Sequence, residues 1–220
     1  MVKMHRKSTL LFDHDGVLVE TEHLYFKANQ MALADLEIVL DLETHHTNMT
    51  LGLASWELAR NQGYSECDID EARKRRDTYY HGLLQDADDV LIPGVEETLQ
   101  QLSRSYQMAI VTTSLGQDFD LIQSRLPIRQ YFDFCLVRED YIKCKPDPEP
   151  YLLGLERAGV TAENALVIED TTRGLLAAQA AGVDCAIIHN EFVACQDFTG
   201  AVKKLASISE LPNFLESATE

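Results

Sequence analysis

Five short apolar runs rich in β-branched or aromatic residues, at 9–12, 108–111, 134–137, 165–168 and 185–188, constrain this chain more than any other feature. Each reads as a buried strand. Helical patterns with boundary signals separate the last four. Pro93-Gly94 opens 95–104, the stretch from Gly116 runs to Arg125 ahead of Pro127, and 148–158 stops at Gly159. Thr171 and Thr172 cap the alanine-rich 174–181, which ends at Gly182. Strand and helix alternating at this spacing predict an α/β protein with a doubly wound parallel sheet.

The first strand breaks the rhythm, because residues 19–90 contain no convincing strand. They hold helix-like runs at 22–35, 51–62 and 66–84, the last with Ile69, Ala72, Arg76, Tyr79, Tyr80 and Leu83 at helical spacing. A helical subdomain inserted after the first strand is the economical reading, dividing the chain into a core of 1–19 and 91–220 and an insert of 20–90. The run Arg73-Lys74-Arg75-Arg76 reads as a solvated helix face rather than an anion patch. The tail from His189 reads as a loop through Asp197 and Phe198, then a short helix near 201–206 that packs against the core.

Composition narrows the function classes. With 220 residues and 45% hydrophobic content the chain can bury a sizeable core. Its net charge of −17, from 19 basic and 36 acidic residues, repels phosphate backbones and anionic membranes, so neither nucleic acid nor a membrane is an expected partner. The five cysteines, Cys67, Cys135, Cys144, Cys185 and Cys195, are odd in number and form no C-x-x-C pair, which fits free thiols in a reducing cytosol. After a basic start, the first apolar run stops at Asp13, too soon for a secretory leader. No run approaches the ~18 apolar residues of a membrane span. A soluble cytoplasmic protein is expected.

In open α/β sheets ligands bind beyond the carboxyl ends of the strands. The polar residues following the apolar runs there are Asp13-His14-Asp15-Gly16, Thr112-Thr113-Ser114 and Glu169-Asp170, with Lys145-Pro146 ahead of the helix at Pro148. Strand alternation puts Asp13 and Asp15 on one side and His14 on the other. Two carboxylates so close repel unless a cation or a shared proton neutralises them, although D-x-D-G is also good turn chemistry. Mg²⁺ suits carboxylate and carbonyl oxygens and readily bridges to a phosphate, and Asp170 could join it if the fourth strand lies beside the first. Lys145 and Thr112 supply the donors that a phosphoryl group needs. Singly, these are a surface lysine, a strand-end cap and a helix-capping acid pair; jointly they describe a phosphoryl site.

The ordered set Asp13-His14-Asp15-Gly16-Val17-Leu18, Ala109-Ile110-Val111-Thr112, Lys145-Pro146 and Ile168-Glu169-Asp170-Thr171-Thr172-Arg173-Gly174 resembles the four motifs of the haloacid dehalogenase (HAD) superfamily. The helical insert resembles the α-helical cap of the subfamily that holds β-phosphoglucomutases and many small-molecule phosphatases. Glu20-Thr21-Glu22-His23-Leu24-Tyr25 is similar to the stretch by which such members enter the cap. The resemblance implies a Rossmann-like core with the first strand central, between the second and fourth. It implies Asp13 as a nucleophile forming an aspartyl-phosphate, and Asp15 as the acid that protonates the leaving oxygen and then the base for water. Thr112 and the Thr113 backbone would bind phosphoryl oxygens, and Lys145 would offset charge on Asp13 and phosphate. Mg²⁺ would sit on Asp13, the Asp15 carbonyl and Asp170, with Glu169 as an outer or water-mediated partner. The cap would exclude water and read the rest of a small phosphorylated metabolite.

Three departures bear on this reading. His14 stands where many members carry an apolar residue and is expected to turn into the core. Cys144 replaces a common glycine, and the Lys-Pro pairing favours Lys145 over Lys143. Mutase-like members carry an arginine three residues after a cap glycine, whereas Gly52 here is followed by Ser55, with Arg60 or the 73–76 run as substitutes. A phosphatase of a small phosphate ester, with sugar phosphates among the candidates, is therefore the first expectation. A phosphosugar mutase comes second and a non-catalytic binding protein on the same fold third. His23, Ser55 and Arg60 are candidate specificity residues. The oligomeric state is left open, a monomer being compatible with the sequence.

Overall fold

The computed structural model describes residues 7–50 and 53–217. They divide into two compact units, one formed by the chain up to Glu20, Val90–Glu191 and the chain from Phe198 on, the other by Thr21–Asp89 and Phe192–Asp197.

The first unit is a six-stranded sheet of β1 (Thr9–Phe12), β2 (Gln107–Val111), β3 (Phe134–Leu136), β4 (Ala165–Glu169), β5 (Asp184–Ile188) and β6 (Lys203–Leu205). Its order is β3-β2-β1-β4-β5-β6 and every pairing is parallel, so the α/β, doubly wound expectation holds with β1 between β2 and β4. A strand covered on both faces must be apolar throughout, and each residue of β1 is buried. Phe12 pairs with Ile110 on one side and Ile168 on the other. That register brings the ends of β1, β2 and β4 to one level, which places Asp13, Thr112 and Glu169 together.

The second unit is helical. There α1 (Glu22–Ala34), α2 (Leu42–Thr50), α3 (Glu57–Asn61) and α4 (Glu66–Asp86) form a helical body. Ser65 and Asp68 close a reciprocal cap at the start of α4. Ala32, Leu33, Trp56, Ala59, Ile69 and Ala72 are buried together in its core. The sheet unit carries α5 (Val95–Leu102), α6 (Gly116–Gln123), α7 (Glu149–Ala158), α8 (Thr172–Ala180) and α9 (Leu211–Ser217). Among the described residues no helix is long and apolar enough to cross a membrane.

Sequence expectation and structure part in the helical insert and in the tail; of the helix expected at 51–62, the described residues from 53 on form only the short α3, Glu57–Asn61. Helix α2 went unseen because its polar composition shows no apolar period, yet Asp41 Oδ1 accepts the Thr44 N–H at 2.7 Å, a legible start signal. The segment 201–206 is not a helix: Lys203–Leu205 is an edge strand whose two lysines face solvent, and the helix follows at Leu211–Ser217. Edge strands need one buried face only and tolerate lysine, so the apolar signal was missing. The expectation that the tail packs only against the core also fails, since Phe192–Asp197 joins the helical unit. There the Phe192 ring lies 6.0 Å from Phe26 and 5.6 Å from both His45 and His46, centroid to centroid.

Burial among these rings, with His46 adding repulsion, lowers the His45 pKa from 6.5 to about 4. Between those values the unfolded chain binds the proton and the native one does not, so stability falls as pH drops through the window. At pH 5 the loss is about 2 kcal/mol. His45→Phe removes this term, so urea denaturation followed by the fluorescence of the single tryptophan, Trp56, will show about 2 kcal/mol less loss from pH 7.5 to pH 5 in the variant than in the parent. Equal losses would overturn the assignment.

Candidate active site

The strand ends assemble a cluster around one buried cation. Lys145 Nζ, only 4% exposed with its residue, donates to Asp13 Oδ1 at 2.6 Å, Glu169 Oε1 at 2.8 Å and the Val111 carbonyl at 2.9 Å. Three acceptors match the three hydrogens of an ammonium. Burial by itself depresses a lysine, but the Asp13 and Glu169 carboxylates outweigh it and hold Lys145 above its ordinary value. Lys145 is therefore a core residue rather than a surface lysine. It lies 4.8 Å over the ring of Tyr151, whose hydroxyl donates to Glu169 Oε1 at 2.8 Å.

Glu169 is fully buried and its second oxygen accepts from the Asp170 and Thr171 N–H groups, both at 3.1 Å, and from the Thr171 hydroxyl at 2.9 Å. Burial opposes this charge, yet Lys145 and these donors keep its carboxyl below the usual value. Thr171 also caps α8 by accepting the Gly174 N–H at 3.1 Å. Gly174 is required by this packing, because a Cβ there would meet Glu169 Oε1 at 1.7 Å.

Asp13 retains 9% exposure. Burial raises its pKa to about 7 against the pull of Lys145, with Glu169 and Asp15 adding to the rise. The Asp15 carboxylate accepts from Ser114 Oγ at 2.5 Å and Thr112 Oγ1 at 3.4 Å. Ser114, not among the expected site residues, thus lies nearer this carboxylate than the Thr112 hydroxyl. Its position two residues beyond Thr112 was the available signal. Thr112 also accepts the Ser114 N–H at 3.1 Å, and its carbonyl accepts the Tyr141 hydroxyl at 2.6 Å. Thr113 lies exposed beyond it. His14 points into the core as expected, where Gln123 Nε2 donates to its Nε2 at 2.9 Å and Phe119 packs edge-on at 5.0 Å.

Carboxylate oxygens of Asp13, Glu169 and Asp170 lie within 4.8 Å of one another. An all-oxygen donor set with this much clustered negative charge fits a hard divalent cation. The backbone makes room for the Asp170 carboxylate at Gly16, where φ is +79° and a Cβ would sit 1.8 Å from Asp170 Oδ2. Asn190, at the end of β5, donates to the same oxygen at 3.2 Å and orients it.

The other candidates belong to the helical unit. Arg60 on α3 is paired with Glu57 and Glu66, and Ser55 Oγ lies 3.4 Å from His45 Nδ1. His23 is exposed. Arg73, Lys74, Arg75 and Arg76 pair with Asp70, Glu71, Asp35 and Asp77, in keeping with a charged helix face. Gly52 lies outside the described residues.

A doubly wound parallel sheet with a carboxylate and lysine centre at its strand ends has its polar cluster where α/β proteins place their ligand sites. The profile of the haloacid dehalogenase-like hydrolases matches residues 10–188, and the chain belongs to that family. The sequence is 29% identical over 184 residues to a phosphorylated carbohydrates phosphatase from Thermotoga maritima, covering 80% of this chain and 82% of that protein. It is 29% identical over 184 residues to a fructose-1-phosphate phosphatase from Escherichia coli, covering 81% and 95%. The crystal structure of CbbY from Rhodobacter sphaeroides in complex with phosphate superposes with a TM-score of 0.78 at 26% identity, over 93% of this chain and 96% of that one.

Proposed function

We propose that this hydrolase is a Mg²⁺-dependent phosphatase of small phosphate monoesters, sugar phosphates first among them, working through an aspartyl-phosphate on Asp13. The observation that carries the reading is the convergence of Asp13, Asp15, Thr112 and Lys145 at the ends of β1 and β2, with an acid pair at the end of β4. The carbohydrate and fructose 1-phosphate phosphatases among its relatives support the substrate class. Free thiols at all five cysteines support a reducing, cytosolic setting.

Lys145 holds Asp13 Oδ1, leaving Oδ2 to attack phosphorus. As that bond forms and the ester P–O bond breaks, Asp15, held by Ser114, gives its proton to the leaving oxygen. Asp15, now a carboxylate, takes a proton from the water that attacks the aspartyl-phosphate and returns Asp13 and inorganic phosphate. The Thr112 hydroxyl and Thr113 N–H donate to the phosphoryl oxygens. Asp13, the Asp15 carbonyl and Asp170 would hold Mg²⁺, with Glu169, already occupied by five donors, as an outer partner. When bound, that ion offsets the negative charge gathered around the phosphoryl group. A mutase needs a cation to grip a second phosphate, and the pairing of Arg60 with two carboxylates favours the phosphatase.

Purified protein will release phosphate from p-nitrophenyl phosphate with Mg²⁺, and EDTA will return the rate to the uncatalysed level. Release that ignores EDTA would overturn the metal assignment, and a folded protein that releases none would overturn the phosphatase.

A further inference from the structure

We propose that Arg173 is a positioning residue for Lys145, acting through the backbone carbonyl of that lysine. The inference rests on the phosphatase reading for its effect on turnover, although the clamp itself is a feature of the chain. Arg173 Nη2 donates to the Lys145 carbonyl at 2.8 Å and Nε to the same oxygen at 3.3 Å. The lysine is therefore gripped at both ends: its ammonium by Asp13, Glu169 and the Val111 carbonyl, its backbone by a guanidinium fork.

The loop that carries Lys145 is stapled residue by residue. Arg138 Nη1 donates to the Tyr141 carbonyl at 2.8 Å, and the Glu149 carboxylate accepts the N–H groups of Ile142 at 2.8 Å and Lys143 at 2.9 Å. The Cys144 carbonyl accepts the Asp147 N–H at 3.0 Å. Those partners are neighbours in the chain and fix the shape of the loop, while the Tyr141 hydroxyl on the Thr112 carbonyl at 2.6 Å anchors its start, four residues before Lys145, to the end of β2. Arg173 comes from α8, 28 residues on, and ties the loop to the helix that follows the Glu169-Asp170 pair. With all three ammonium hydrogens already directed at acceptors, the place of the Lys145 backbone decides whether those bonds stay short.

The position of Arg173 needs such an explanation. It is the second residue of α8, an exposed guanidinium in the first turn of a helix, where the macrodipole favours acids over bases. Its two bonds to the Lys145 carbonyl account for a cation at that end.

Arg173→Ala and Arg173→Lys test this. Misplacing a reacting group by ~1 Å costs about 100-fold. Arg173→Ala will lower kcat for p-nitrophenyl phosphate by about 10-fold to 100-fold with KM within about 2-fold, and Arg173→Lys, which offers one donor instead of a fork, will fall between. Methylguanidinium added to Arg173→Ala will restore part of kcat, which a purely structural role would not allow. Unchanged kcat, a rise in KM alone, or no rescue would each overturn the proposal. Acetic anhydride labelling of Lys145, read by mass spectrometry, will be faster in Arg173→Ala than in the parent without requiring turnover. Equal labelling would overturn the clamp, whereas an inactive parent protein with faster labelling in the variant would overturn the phosphatase reading alone.

Discussion

Asp13→Asn will reduce Mg²⁺-dependent phosphate release by about 10⁴-fold or more, because an amide cannot form the acyl phosphate that carries the reaction. The fold will survive the change. Asn keeps the Oδ1 acceptor that Lys145 uses at 2.6 Å, and Lys145 keeps Glu169 as its counter-charge at 2.8 Å. The parent cluster carries two carboxylates against one ammonium, and burial already raises Asp13 to about 7. Losing one buried negative charge relieves that crowding, so stability in urea will stay within about 1 kcal/mol of the parent or rise. A variant that retains turnover would remove Asp13 from the nucleophile role, and a variant that unfolds would contradict the charge accounting.

Lys145→Met will do the opposite to stability. It leaves Asp13 and Glu169 buried without their shared cation, and removing one partner from a buried pair costs about 3–5 kcal/mol. It will also lower turnover by at least about 100-fold, since Asp13 without Lys145 holds its proton to higher pH and a protonated carboxyl is a poor nucleophile. The pH sign follows from the direction of the shift. A carboxyl whose native pKa is raised binds more protons folded than unfolded, so its contribution is present in acid and is lost as pH rises through the native value. Urea midpoints in EDTA will therefore separate parent and variant more at pH 8 than at pH 5. A gap that narrows as pH rises would show that Lys145 does not neutralise this pair.

Much of this architecture is legible in the chain. Parallel strands buried on both faces demand apolar runs, and those at 9–12, 108–111 and 165–168 announce themselves. Reading just past their ends finds Asp13, Thr112, Glu169 and Asp170, because strand ends are where a doubly wound sheet exposes polar side chains. Lys145 carries no apolar signal and stands out only through its Lys-Pro pairing and its place before α7. Edge strand β6 and helix α2 carry too little apolar surface to show a period. The role of Phe192 depended on rings from α1 and α2, far away in sequence.

What the amino-acid sequence determined by itself was therefore the layered α/β plan and the residue types at the strand ends, since burial on two faces and the need for polar ends are local demands on composition. What only the tertiary structure decided was which groups meet. Ser114 on Asp15, Tyr151 on Glu169, Asn190 on Asp170 and Arg173 on the Lys145 carbonyl are contacts between separate elements. Hydrogen bonds form over a few tenths of an ångström and a favourable angle, and that precision is set by helix and strand packing rather than by spacing along the chain.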